Sequence, residues 1–300
     1  SGLMTTPKEG PMTAGLVLVQ GSGPSDRDES VAANAPFRDL AWGLAQRGIA
    51  VLRYDKRTFT YGARIAQSPD AAKITAKEET VEDAVAALNL LKAQPALDGK
   101  PVFLLGHSLG GMLAAAIGHA GSDPAGYVLL GGTPRKLWEL SAEQNLTMAQ
   151  ELEDGGDQKQ AADIRAFVAA ETEKGKRLAD MTDEEALTTT VMGLSSWYLR
   201  DLEGVDAAQL HMADGKPLLA LHGENDRQVS MTDYNLWQEQ LKDHPDATFI
   251  AYPGLNHLFG AYQGEPVPFS QLVSVEYAQR TPIPEQVMNN IAGWIDSHAE

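Results

Sequence analysis

The sequence predicts an α/β fold, a mostly parallel central sheet with helices on both faces and a helical cap inserted late in the chain. Two observations predict it. Short continuous apolar runs, the mark of strands buried on both faces, alternate with amphipathic helical stretches. That alternation then breaks from 133 to 215, where about 80 residues read as helical and contain no strand. A connection that long inside a compact domain is usually functional.

The elements follow in order. Leu16-Val17-Leu18-Val19 is the first strongly buried strand, followed by a Gly/Ser/Pro/Asp loop over 21–30. A helical pattern over 36–47 stops at Gly48, where a C-cap glycine is expected. The next strand spans 49–54. Residues 78–94 carry Val81, Ala84, Val85, Leu88 and Leu91 at helical spacing. A strand over 102–105, a tight turn, a helix over 109–119 and a strand over 127–130 come next. After the interruption, strands over 218–221 and 248–252 flank a helix near 232–241, and a helix over 284–297 closes the chain. The core is therefore assigned to 1–132 and 216–300, with 133–215 as the insertion. The insertion's apolar residues include Trp138, Met148, Phe167, Leu178, Met192, Leu194, Trp197 and Tyr198. It is read as a cap over the site; the plainer alternative is a surface excursion that touches nothing catalytic. No internal repeat is present.

Charge narrows the partners. A formal net charge of −17 argues against nucleic acid and anionic membrane surfaces, and disfavours strongly anionic substrates. Zero cysteines exclude disulfides, a thiolate nucleophile and Cys-ligated zinc. No apolar stretch approaches the roughly 20 residues of a membrane span. The opening Ser1-Gly2-Leu3-Met4 shows no charged and apolar leader, so no signal peptide is expected, and a start without Met points to a processed or trimmed chain. Neither compartment nor oligomeric state is specified.

The densest signal is Gly106-His107-Ser108-Leu109-Gly110, a Gly-x-Ser-x-Gly turn between an apolar strand and an Ala-rich helix. Such a turn forces the serine into a strained backbone conformation and needs glycines where a Cβ would collide with the neighbouring element. Serine is a weak nucleophile without a base to take its proton and a third group to orient that base. In this context the expected chain order is Ser, acid, His. Asp226 lies in the polar loop after the strand at 218–221, and His257 in the loop after the strand at 248–252. Strand carboxyl ends are where open α/β sheets build their sites. Glu224 and Asp233 are rival acids. Among the seven histidines, His119, His244 and His298 read as solvated, His211 closes the insertion, and His222 reads as a packed neighbour.

A tetrahedral acyl-transfer intermediate also needs backbone N–H groups aimed at its oxyanion. Leu109, directly after the serine, is one expected donor. The other is expected from the loop Gln20-Gly21-Ser22-Gly23-Pro24, with Ser22 N–H the choice; the alternative is an ordinary strand-to-helix loop.

Taken together, these segments resemble the α/β-hydrolase superfamily, most closely bacterial serine esterases and peptidase-like hydrolases related to the prolyl oligopeptidase and dienelactone hydrolase groups. The resemblance is carried by residues 20–28, by Arg53-Tyr54-Asp55-Lys56-Arg57, by the turn around Ser108, by His222-Gly223-Glu224-Asn225-Asp226 and by Asn256-His257. It implies hydrolysis of carboxylic esters of small to medium acyl or aromatic acids through an acyl-enzyme, with a helical cap shaping the pocket. Three departures stand out. Gln20-Gly21 replaces the His-Gly of many relatives, the nucleophile is Ser108 where dienelactone hydrolases use cysteine, and little chain is available for leading strands before Leu16.

Arg53, Asp55 and Arg57 invite a reading as substrate charges, though a role in tying loops together near the turn is the better one. Met192, Trp197 and Tyr198 are candidates for a pocket wall, or else for the insertion's own core. The chemistry requires no metal or organic cofactor, and no Cys/His cluster suggests one. Two rival functions stay open: a peptidase releasing short N-terminal fragments, and a binding module that retains the fold without turnover.

Overall fold

The apolar runs pair into one seven-stranded sheet in the computed structural model, which describes residues 1–299. In chain order the first half comprises β1 (Gly2–Thr5), β2 (Ala14–Val19), α1 (Pro36–Ala45), β3 (Ile49–Tyr54), α2 (Arg57–Ala66), α3 (Glu82–Lys92), β4 (Val102–His107), α4 (Leu109–Met112), α5 (Ala114–Ile117) and β5 (Tyr127–Leu130). The insertion holds α6 (Leu137–Asp154), α7 (Gln158–Gly175), α8 (Asp183–Thr188), β6 (Thr190–Val191), β7 (Leu194–Ser195), α9 (Ser196–Leu202) and α10 (Ala207–Asp214). Then come β8 (Leu218–Gly223), α11 (Met231–Gln240), β9 (Ala247–Tyr252) and α12 (Glu285–Ser297).

The sheet order is β1-β3-β2-β4-β5-β8-β9. All neighbours are parallel except β1, which pairs antiparallel with β3 at the edge. The chain winds outward from β2 to β3 and then returns to place β4 on the other side of β2. Between β2 and β4 the strand order reverses, the position where α/β sheets open a crevice beyond their carboxyl ends.

Continuous apolar runs are needed because successive residues face opposite layers. On one face Val17, Val19 and Leu104 pack with Leu88 and Leu91 of α3. On the other, Leu16, Leu18 and Leu105 pack with Phe37, Leu40 and Leu44 of α1 and Val287, Ile291 and Ile295 of α12. Each such side chain contributes roughly 1.5–3 kcal/mol by leaving water.

Within 133–215, Trp138, Val168, Leu178, Val191, Met192 and Leu199 form a separate small core, while Leu202, Ala207 and Ala208 join the core on the α3 side of the sheet. Two features differ from the sequence reading. Residues 190–195, expected to be strand-free, form a short hairpin, with Val191 opposite Leu194 and both turn residues, Met192 and Gly193, at positive φ (52° and 79°). Two left-handed residues in a row suit a two-residue hairpin turn; two-residue strands are too short to leave a period-2 pattern. Helix α2 was also unanticipated. None of its residues is buried, and Thr58, Thr60 and Gly62 within it are weak helix formers.

Candidate active site

Strand β4 delivers Ser108 to the crevice. Its φ and ψ are 53° and −117°, left-handed for a residue with a side chain. The turn closes only because its flanks lack Cβ atoms: one on Gly106 would stand 2.1 Å from the Gly110 carbonyl oxygen, and one on Gly110 2.4 Å from that of Val19. Ser108 N–H donates to Leu130 O (3.0 Å), and Ser108 O accepts from Gly111 N (3.0 Å) and Met112 N (3.1 Å). As the first residue of α4, Leu109 has an N–H with no intrahelical partner.

Asp226 follows β8 and is buried. Its Oδ1 accepts from the N–H groups of Gln228 (2.8 Å) and Val229 (2.9 Å), and its Oδ2 lies 2.6 Å from Nδ1 of His257, which follows β9. Burial opposes ionisation of Asp226, but the facing His257 and the hydrogen bonds prevail and hold its carboxyl below the usual range. An ionised carboxylate only accepts, so the Asp226–His257 bond places the proton on Nδ1 and leaves Nε2 as the basic nitrogen. The His257 loop is set by Asn256, whose Oδ1 accepts from Leu258 N and Gly260 N and whose Nδ2 donates to Glu276 (2.7 Å).

Ser108 and His257 line one cavity of about 640 Å³. No hydrogen bond joins the Ser108 hydroxyl to His257 among the described residues. A second cleft of about 750 Å³, between α2, β3 and α3, contains neither of them. Of the rival acids, Glu224 is exposed, and Asp233 is fully buried in an ion pair with Arg135 (2.6 Å) and a hydrogen bond from Thr133 (2.6 Å). His222 is the packed neighbour expected, its Nε2 2.8 Å from Val229 O. His211 is buried between Tyr127 and Trp237, and burial pushes its imidazole down to about 3. His244, expected to be solvated, is 9% exposed.

The loop after β2 abuts the nucleophile. A Cβ on Gly21 would stand 3.0 Å from Ser108 Cβ. Gly21 N–H donates to Glu29 Oε1 (2.7 Å), so among these two residues Ser22 has the amide left for the cavity it lines. Gly21 carbonyl accepts from the buried Lys56 ammonium (2.6 Å). Gln20 answers the departure noted above: its side-chain amide donates to the carbonyls of Tyr54 and Asp26, tying this loop to the end of β3.

Glu29, Lys56, His107 and Glu79 were not singled out from the sequence. His107 Nδ1 lies 3.0 Å from Glu29 Oε1, and Lys56 Nζ 3.7 Å from Glu79 Oε1. The only available signal was adjacency: Glu29 directly follows the 20–28 motif, Lys56 sits within 53–57, and His107 precedes the serine. Arg53, Asp55 and Arg57 pair with Asp28, Arg27 and Asp83, bracing loops as the structural reading holds.

Of the three candidate wall residues, only Tyr198 lines the cavity. Met192 belongs to the insertion's core, because its hairpin is pulled inward by a Met192 N–H bond to Glu171 (2.8 Å). Trp197 is held instead by its indole N–H to Lys73 O (2.9 Å) and by Arg200 over its ring (4.8 Å). The insertion's contribution to the wall is Leu137, Leu140, Ser141, Gln144, Leu194 and Tyr198 among others. Among the described residues no group of three or more His, Cys, Asp or Glu is arranged to hold a metal ion, and no helix is long and apolar enough to cross a membrane.

The chain is similar to several known proteins. Residues 34–260 match the family described as serine aminopeptidase, S33. Esterase EstD of Thermotoga maritima is 34% identical over 295 residues, covering 98% of this chain; the chain spans 65% of that protein's length. Among solved structures, Est1E of Butyrivibrio proteoclasticus superposes with a TM-score of 0.56 at 11% identity, covering 99% of this chain and 93% of that one. A thermophilic esterase from Thermogutta terrifontis gives 0.54 at 18% identity, covering 100% and 94%. Likeness at such low identity establishes a shared fold.

Proposed function

The chain belongs to the serine aminopeptidase S33 family and has the α/β-hydrolase fold, and from that premise we propose that it is a serine hydrolase cleaving carboxylic esters through an acyl-enzyme. The observation that carries the reading is the buried Asp226–His257 pair at 2.6 Å, opening onto the same cavity as Ser108 on its strained turn. In this reading His257 Nε2 takes the Ser108 proton as Oγ attacks the ester carbonyl. The Leu109 and Ser22 amides meet the oxyanion, and His257 then protonates the leaving alcohol. Water repeats the sequence on the acyl-enzyme. Asp226 holds the imidazole in the required tautomer and stabilises the imidazolium.

Small to medium acyl or aromatic acids are the substrate class proposed. The 34% likeness to an esterase supports ester chemistry. The family description favours a second reading, an aminopeptidase. A free substrate amine is held by a carboxylate near the nucleophile. Glu29 and Glu79 both line the cavity, but Glu29 accepts from Gly21 N–H and Glu79 accepts from Tyr198 (2.7 Å). Each keeps further acceptor capacity, Glu29 Oε2 having no hydrogen-bond partner, so the anilide assay below separates the two readings. We further propose that 133–215 acts as a cap, since its residues form part of the cavity wall.

The test is hydrolysis of p-nitrophenyl acetate, butyrate and octanoate, a methyl hydroxycinnamate and an aminoacyl p-nitroanilide by the wild type and by Ser108→Ala. Ester turnover lost in the variant is the expected result. Turnover of the anilide alone moves the protein to the peptidases, and inactivity on every substrate makes it a binding module.

A further inference from the structure

Resting on the serine-hydrolase reading above, we propose that Lys56 is a positioning residue for the oxyanion hole, its buried ammonium fixing the direction in which the Ser22 N–H points. Lys56 Nζ donates to the Gly21 carbonyl at 2.6 Å, and the side chain is 1% exposed. That carbonyl and the Ser22 N–H belong to one peptide unit. The unit is planar and trans, so a carbonyl held on one side sends the N–H out on the other. Ser22 cannot swing its amide away from the cavity unless the carbonyl leaves the ammonium.

The preceding peptide is held independently. Its N–H, on Gly21, donates to Glu29 Oε1 at 2.7 Å, while Gly21 packs against Ser108 closely enough to exclude a methyl group without displacement. Two buried charged side chains thus grip consecutive peptide units, one by its N–H and one by its C=O. A cation on the carbonyl also polarises the amide, making its N–H a better donor to the negative charge that develops on the substrate oxygen.

A neutral donor would complete a simple hydrogen bond at lower desolvation cost than an ammonium. Burial indeed lowers the Lys56 pKa, opposed by the facing carboxylates of Glu79 and Glu29. Glu79 stands 3.7 Å from the ammonium and accepts a hydrogen bond from Tyr198 of α9. The carboxylate that Lys56 faces, Glu79, lines the cavity and so belongs to the wall of the site.

The experiment compares wild type, Lys56→Met, Lys56→Met/Glu79→Gln and Ser108→Ala on p-nitrophenyl butyrate, with inhibition by butylboronic acid, which forms an anionic tetrahedral adduct on an active serine. Circular dichroism and Tm establish folding; the double variant also neutralises Glu79, the carboxylate 3.7 Å from the ammonium, and carries the test where the single variant does not fold. Loss of one oxyanion donor costs about 10²–10³ in kcat, so a misaimed donor is expected to cost roughly 10- to 100-fold. KM should stay within about twofold, and boronate affinity should fall in proportion to kcat. A folded double variant that keeps its kcat, or loses activity through KM alone, overturns the role of Lys56. Turnover that persists in Ser108→Ala overturns the serine-hydrolase reading itself.

Discussion

Nε2 of His107 lies 3.0 Å from the backbone carbonyl oxygen of His257, and the two imidazole rings stand 4.6 Å apart. The residue before the nucleophile thus grips the backbone of the candidate base. Its other nitrogen faces Glu29, which also holds Gly21, so three loops from three strands converge on one buried pair.

His107→Phe should therefore disturb stability and turnover together. The ring volume is kept, but the His257 carbonyl and Glu29 lose a partner, at about 1–3 kcal/mol for each buried group left unsatisfied. Burial lowers the His107 pKa, yet the Glu29 charge and hydrogen bond prevail and raise it. A raised value stabilises the fold fully below the unfolded pKa, and that contribution disappears as pH rises through the folded one. Urea denaturation should show the wild-type advantage over His107→Phe narrowing as the solution is made alkaline; a gap that widens contradicts the assignment.

Removing members of the proposed triad should give unequal losses. Ser108→Ala is expected to lower kcat by about 10⁶ where the three residues act as a unit. Asp226→Asn, which preserves shape but reverses the preference for the Nδ1 proton, should cost about 10⁴. Stopped-flow acyl-enzyme bursts on p-nitrophenyl esters should vanish in the first and slow in the second. Equal, modest losses would place the chemistry elsewhere.

Gly110→Ala should abolish the site without replacing any of its polar side chains. The new methyl would stand 2.4 Å from the Val19 carbonyl oxygen and 2.8 Å from that of Gln20, both backbone and neither able to yield cheaply. Either β2 or the turn must move, with expected destabilisation of about 1–3 kcal/mol or more. Thermal melting and ester assay of the purified variant decide it; near-wild-type values for both would show the crevice to be softer than its packing implies.

Asp233→Ala should loosen the insertion. Asp233 is fully buried and takes two hydrogen bonds from Arg135 (2.7 and 2.6 Å) and one from Thr133, while Arg135 also binds Glu143 of α6. Removing one partner of a buried pair costs roughly 3–5 kcal/mol. Limited proteolysis should then cut first within 133–215. Unchanged cleavage kinetics would mean that α6 is held by its other contacts, such as the Gln144 side-chain bond to Gln228 O (2.8 Å).

How much was legible follows from the range of each signal. Leu16 to Val19 could be read as a central strand because burial on both faces leaves an uninterrupted apolar run. Asp226 and His257 could be named because chain order and strand-end position are local properties; the structure sets the two side chains 2.6 Å apart. Met192 and Trp197 could not be placed. Whether an aromatic or Met in a helical insertion faces a cavity or its own core depends on how the hairpin at 190–195 folds back, which leaves no periodic trace. Lys56 and Glu29 were hidden for another reason. A charged residue in a loop reads as solvated, and only the approach of residues 35 and 8 positions away in the chain reveals what they hold.

The hydrogen bond from Tyr198 to Glu79 also bears on exchanging parts between relatives. A graft that replaces the 133–215 segment to alter selectivity would remove the hydroxyl from a carboxylate whose counter-charge, Lys56, rests on the Gly21 carbonyl. The segment is therefore not a free-standing module. A transplanted version must bring a hydrogen-bond donor at the equivalent of 198, or be accompanied by neutralisation of Glu79; without either, the recombinant would inherit a new pocket and a slower machine.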